Sequence, residues 1–225
     1  MRSTTYNTYA RTVALTIDDG PSKFTPQILA VLQAKGVHAT FFVTGRAARR
    51  DPATLRTIVA AGSRIGNHSD THPMNVTGSI PKASFDTMTG TAQAQQLDTA
   101  TKSILAATGA KPCFFRAPGG HHWTATTLKL SRARGMSVVN WSADTRDWTQ
   151  PAYNSTTAQK SIVDLATTKV TSAHPVILFH DGKESPEAES KVSSNRSNTV
   201  AALGRVIDYY KTRGYVFTDP LGHKF

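Results

Sequence analysis

The sequence predicts an α/β fold, a distorted (β/α) barrel of about seven parallel strands in a single domain spanning residues 1–225. Three observations point there. Short β-branched or aromatic runs alternate with helical patterns along the chain, and most of those patterns have readable ends. The chain is 225 residues long, 39% hydrophobic and 18% charged, which suits one packed core and excludes a disordered chain. Strict alternation of strand and helix implies parallel pairing through right-handed crossovers, and about seven such units favour a barrel over an open sheet.

The elements follow in order. A strand is expected at residues 12–17, then a helix with Thr25 as N-cap, Pro26 at its first position and Gly36 as its stop. After a strand at 39–43, Asp51 and Pro52 repeat that start and Gly62 closes the helix. A strand at 64–66 precedes a helix at 93–108 that runs into Gly109. The alternation continues with strand 113–116, helix 124–134 into Gly135, strand 137–140, helix 156–168 and strand 176–179. It ends with helix 198–213 into Gly214 and strand 215–217. Residues 74–92 and 181–195 break the rhythm as long polar loops, candidates for cleft walls and not linkers, since the alternation resumes after each.

Composition removes several classes. No stretch approaches the roughly 20 apolar residues of a membrane span. The lone Cys113 excludes an internal disulfide and a cysteine-rich zinc site, and at the head of a buried strand it reads as a small core residue. Residues 1–11 are polar and lack the apolar stretch of a signal peptide, so any leader is absent from this sequence. Lys and Arg number 26 against 15 Asp and Glu, a net charge of +11 that attracts polyanions. No nucleic-acid recognition motif accompanies it, so nucleic acid is not the expected partner.

The unusual polar residues fall at the carboxyl ends of the expected strands, the face on which parallel barrels build their sites. Asp18-Asp19-Gly20-Pro21 follows the first strand and His68-Ser69-Asp70-Thr71-His72-Pro73 the third. Arg116 ends the fourth, Asp144 and Asp147-Trp148 follow the fifth, and His180-Asp181 ends the sixth. His68 and His72, four apart, can reach one ion from a single helical turn. With an aspartate they supply two nitrogens and an oxygen, the open three-ligand set of a catalytic zinc site, beside a second carboxylate able to act as a base.

Together these motifs resemble the polysaccharide deacetylases, carbohydrate esterase family 4. Thr16-Ile17-Asp18-Asp19-Gly20-Pro21 resembles that family's T-F-D-D-G-P, and His68 to Pro73 its H-S/T-x-x-H-P. Arg116-Ala117-Pro118-Gly119-Gly120 is similar to R-x-P-Y-G, Asp144 to Trp148 to D-x-x-D-W, and Leu178-Phe179-His180 to L-x-H. They occur in family order within residues 16–181. The resemblance implies one catalytic domain that removes acetyl groups from sugars using one divalent metal ion, zinc by preference, with cobalt or nickel as alternatives. It implies that Asp19, His68 and His72 bind the metal and that Asp18 is the general base, held by Arg116. His180 would be the general acid, tuned by Asp147, while Trp148 and Leu178 line the acetyl pocket and Gly119 offers a backbone N–H to the oxyanion.

Departures from the pattern are informative. Ile17 replaces a phenylalanine, Gly119 replaces an aromatic, and Asp70 places a charge with no evident role in the histidine motif. His121, His122 and Trp123 follow directly, and Trp123 is a candidate sugar-stacking residue. His38, His174 and His223 fall outside the motifs, with surface or packing roles. The expected substrate is an N-acetylglucosamine polymer, chitin-like or peptidoglycan, with O-acetylated xylan as the alternative. A silent carbohydrate-binding barrel is a more distant alternative, since binding alone needs neither base nor acid. The resemblance implies a secreted or wall-associated monomer, and the basic surface suits anionic cell-wall polymers.

Overall fold

The structure, a computed structural model, describes residues 11–74, 84–120, 124–184, 189 and 192–225. Among the described residues eight parallel strands form the sheet: β1 (Thr12–Gly20), β2 (Thr40–Val43), β3 (Arg64–Asn67), β4 (Phe114–Phe115), β5 (Ser137–Val138), β6 (Ala143–Asp144), β7 (Val176–His180) and β8 (Val216–Phe217). Their order is β5-β4-β3-β2-β1-β7-β6, with β8 beside the first residues of β1. Among the described residues β5 and β6 do not pair, so the distorted barrel is open between them.

Seven α-helices are seen among the described residues: α1 (Thr25–Ala34), α2 (Gly45–Arg50), α3 (Pro52–Ala60), α4 (Gly90–Thr108), α5 (Ala125–Arg132), α6 (Thr156–Ala166) and α7 (Ser197–Lys211). Side-chain caps explain several starts. Asp51 accepts from the N–H of Thr54, Thr89 from Ala92, Thr124 from Thr127 and Ser155 from Ala158. Gly109, at φ 76°, closes α4 in the left-handed region.

The central strands separate two layers by their two-residue period. Leu15 and Ile17 of β1 and Ile177 and Phe179 of β7 join the main core, between sheet and helices. The alternate residues turn inward. Phe42, Phe114 and Val139 pack inside the barrel, and Thr16 and Asp18 lie in register with Leu178 and His180. A strand period of two thus puts one set of hydrophobic residues against the helices and leaves the inner face to a smaller apolar cluster and the polar groups of the site.

Several expectations need correcting. Thr25 is not the cap of α1; Phe24 holds that position without a side-chain bond, and the buried Thr25 hydroxyl reaches Asp181 instead. A short helix that the sequence reading does not include, α2, follows β2, with Thr44 as its cap. The helix expected from residue 93 begins at Gly90, and β6 was not anticipated. Cys113 is exposed, one residue before β4, and is not a core residue.

Candidate active site

The chemistry of the site begins with local chain geometry. Among the described residues four non-glycines adopt positive φ: Asp19 (69°), Ser69 (66°), His72 (53°) and Arg146 (51°). All four lie in the polar motifs, and such left-handed residues persist only where the surroundings hold them. His68 and His72 do not share a helical turn, as their spacing suggested. The Asn67 side chain accepts from the N–H of Ser69 at 2.8 Å, and the Ser69 hydroxyl accepts from that of His72 at 3.2 Å. Two consecutive side-chain turns therefore bring both rings to one point. Asp70, unassigned by sequence, points away and meets Arg49 at 2.6 Å, tying the turn to α2.

Asp19, His68 and His72 are all buried, and one ligand atom from each lies within 4.8 Å of the others. Asp19 Oδ1 is 3.5 Å from His68 Nε2 and 3.3 Å from His72 Nε2. Ligands about 2.0–2.1 Å from a tetrahedral zinc stand about 3.3–3.4 Å apart, so the donors fit such an ion. Their protonation fits too. Burial pushes the pKa of His68 down, against the pull of Asp18, and pushes that of His72 well down, with His68 and His180 adding to it. Neutral imidazoles are the form a cation requires. His68 Nδ1–H donates to the Arg116 carbonyl at 2.8 Å, which leaves Nε2 with its lone pair facing the cluster.

Asp18 sits beside this cluster. The Arg116 side chain is fully buried and crosses the barrel interior over the Phe42 ring. It donates from one terminal nitrogen to Asp18 Oδ1 at 2.7 Å and to Thr16 Oγ1 at 2.9 Å. Its remaining nitrogens reach the carbonyls of Val139 and Asn140. Asp18 Oδ2 is left 3.6 Å from His68 Nε2, on the side of the three donors. The bonds of Arg116 anchor one oxygen of Asp18 and leave the other presented to the cluster.

His180, the register partner of Asp18 on the neighbouring strand, has the opposite electrostatics. Its Nδ1–H donates to Asp147 Oδ1 at 2.8 Å, and its backbone N–H to Asp147 Oδ2 at 2.9 Å. Thr199 Oγ1 also donates to Oδ2 at 2.9 Å. Burial opposes charge on His180, but the Asp147 carboxylate outweighs it and raises the ring to about 9. Burial likewise disfavours charge on Asp147, and His180 outweighs it, keeping the carboxyl below its usual range. The pair is an imidazolium and a carboxylate at neutral pH.

One cleft of about 330 Å³ is lined by Asp18, Asp19, His68, His72, His180, Gly119, Leu178 and Trp148. It thus brings together a base-like carboxylate, a three-donor cluster and a charged imidazole, with an apolar lining. Arg116 and Asp147 stand behind it, each bonded to a cleft residue. Trp123, with His121 and His122, lies outside the described residues. Met74, Trp141 and Val192 also line the cleft and had not been singled out. Met74 and Val192 lie in the two long loops, which do supply walls. Trp141 carried no motif, and its place just past the fifth expected strand was the available signal.

Comparison with known proteins agrees with the geometry. Residues 5–139 match the family model described as polysaccharide deacetylase. A chitooligosaccharide deacetylase of Sinorhizobium fredii is 36% identical over 219 residues, 96% of this chain and 94% of that protein. A peptidoglycan-N-acetylglucosamine deacetylase of Bacillus cereus is 31% identical, covering 91% of this chain and 84% of the relative. A family 4 carbohydrate esterase from Streptomyces lividans, solved with acetate, superposes with a TM-score of 0.75 at 27% identity, over 95% of this chain and 96% of the other. A family 4 pseudoenzyme from Bacillus anthracis superposes at 0.73 and 27% identity, over 93% and 63%, so the fold alone does not establish turnover.

Proposed function

The chain belongs to the polysaccharide deacetylase family, and on that premise we propose that it is a metal-dependent hydrolase of N-acetyl groups on N-acetylglucosamine-containing polysaccharide, chitin, chitooligosaccharides or peptidoglycan. The observation that carries this reading is the shared cleft: Asp18 and His180, in register on adjacent strands, flank the Asp19, His68 and His72 cluster. A protein that only binds sugar needs neither group.

Asp19, His68 and His72 would hold one divalent cation, zinc by their donor set. A cation held there would supply Lewis acidity toward the acetyl carbonyl and the attacking water. Asp18 takes the proton that water gives up, through the oxygen Arg116 leaves exposed to the cluster. The hydroxyl joins the acetyl carbon, and a backbone N–H at Gly119 steadies the negative oxygen that forms. His180, charged by its bond to Asp147, gives its proton to the departing nitrogen. The C–N bond breaks, leaving acetate and a free amine. Leu178 and Trp148 shape the apolar end of the cleft for the acetyl methyl.

Acetate release from chitooligosaccharides, peptidoglycan and acetylated xylan, measured side by side, tests the reading. It predicts release from an N-acetylated polymer that disappears in Asp18→Asn. Release from xylan alone would make the enzyme an O-acetyl esterase, and no release from any would make it a silent binder.

The site of action that fits this substrate is extracellular or at the cell wall. A net charge of +11 would concentrate the protein on wall polymers rich in carboxylate and phosphate. Exposed charges are screened over about 10 Å at 0.1 M salt and about 3 Å at 1 M. Sedimentation with anionic walls should therefore fall sharply across that range, while activity on short neutral chitooligosaccharides should not.

A further inference from the structure

Asp181 is a buried carboxylate that takes no part in the chemistry above. It follows His180, and its side chain is fully buried. Its backbone N–H donates to the carbonyl of Asp18 at 2.8 Å, extending the β1–β7 pairing by one bond past the catalytic register. Both carboxylate oxygens are engaged with the chain that leaves β1. Ser22 Oγ lies 2.8 Å from Oδ1, and Thr25 Oγ1 lies 2.5 Å from Oδ2. Those hydroxyls in turn accept backbone N–H groups, Thr25 from Ser22 at 2.8 Å and Ser22 from Phe24 at 3.0 Å. This explains why α1 starts without a side-chain cap: its first polar groups are organised around Asp181.

The two loops also fit together through glycines. A Cβ on Gly20 would stand 2.3 Å from Asp181 Oδ2, and a Cβ on Gly182 would stand 2.5 Å from the backbone carbonyl oxygen of Asp19. Neither position has room for a larger residue. Gly182 is itself pinned, because the fully buried Arg196 donates to its carbonyl. Asp19 sits between these contacts with a left-handed backbone at φ 69°, a conformation an aspartate holds only when its neighbours require it.

We propose that Asp181 and Gly182 form a positioning clasp that fixes the backbone of Asp19 and thereby sets the affinity of the three-donor cluster for its cation. Asp181 grips the chain after Asp19 through Ser22 and Thr25, and Gly182 abuts Asp19 itself. Neither touches the ion or the substrate. The inference rests on the metal centre proposed above, and its own readout is binding, not turnover.

The experiment is a zinc titration of the full chain against a competing chelator, with thermal unfolding measured in parallel. Groups that orient a metal ligand typically contribute about 10–100-fold to affinity. Asp181→Ala should weaken zinc binding by about that factor. Asp181→Asn, which keeps the shape and one carbonyl acceptor, should recover part of the loss. Gly182→Ala leaves the Asp181 carboxylate untouched but presses on the Asp19 carbonyl, and it should weaken zinc to a similar extent. If Asp181→Ala does not fold, the asparagine and Gly182→Ala variants decide the matter by the same titration. Wild-type zinc affinity in the folded variants, with only a lowered melting temperature, would overturn the clasp and leave the metal centre standing. A wild-type chain that binds no zinc would overturn both.

Discussion

His68 and His72 on one side of the cleft and His180 on the other are imidazoles in a common pocket, yet they are held in opposite states. Burial disfavours charge at all three. At His68 the Nδ1 partner is a neutral backbone carbonyl and burial outweighs the pull of Asp18; at His72 burial, with the other imidazoles and Arg46 adding to it, holds the ring neutral although Asp19 Oδ1 lies 3.3 Å away. At His180 the Nδ1 partner is a carboxylate, and the ring is raised to about 9. Burial sets the direction at His68 and His72, and only at His180 does a carboxylate on Nδ1 reverse it.

The largest effect should come from emptying the neutral side. Chelator treatment, or His72→Ala, should abolish acetate release, and added zinc should restore the chelated wild type but not the variant. Full activity in rigorously metal-free protein would remove the cluster from the mechanism.

Next in size is the loss of the charged side. His180→Ala should lower kcat on N-acetyl substrates by about 10²–10⁴-fold, the usual contribution of a general acid. Activated acetate esters, whose leaving groups need little protonation, should suffer much less. Equal losses on both substrates would assign His180 to binding.

Converting one side toward the other should shift pH dependence. In the proposed mechanism the imidazolium is the working form, so kcat/KM should fall as pH rises through about 9. Asp147→Asn removes the charge that holds the proton, so this alkaline limb should move to lower pH. An unmoved limb would break the coupling between the two residues.

The smallest effect concerns stability. The folded pKa of His180 lies above the value of about 6.5 expected in an unfolded chain. Its contribution to stability is therefore complete below about pH 6.5 and is lost as pH rises through about 9. Melting temperatures should show that decline in the wild type, and Asp147→Asn should flatten it.

Much of this was legible in the sequence because strands and sites obey short-range rules. The run from Thr12 shows a period of two, and the same alternation places Asp18 and His180 on the inner face. Asp51, Thr89, Thr124 and Ser155 are capping residue types at helix starts, though only Asp51 had been read as one. What was not legible depends on partners far along the chain. Thr25 looks like a cap because nothing nearby reveals that Asp181, 156 residues on, takes its hydroxyl. The two-residue β6 is defined by pairing to β7, with too little sequence to show a period. His68 and His72 were read as one helical turn from spacing alone, whereas Asn67 and Ser69 fold them by side-chain bonds. Trp141 became a cleft residue only when Gly120, which leaves no room for a Cβ beneath its ring, was placed against it.

Nitrogen NMR of the imidazole rings, assigned by single histidine substitutions and followed through a pH titration with and without zinc, tests the contrast most directly. The account predicts that His180 carries protons on both nitrogens at neutral pH and titrates near 9. His68 and His72 should be neutral at the same pH, and their Nε2 signals should shift when zinc is added. A His180 that titrates at the ordinary histidine value, or His68 and His72 signals indifferent to zinc, would contradict it.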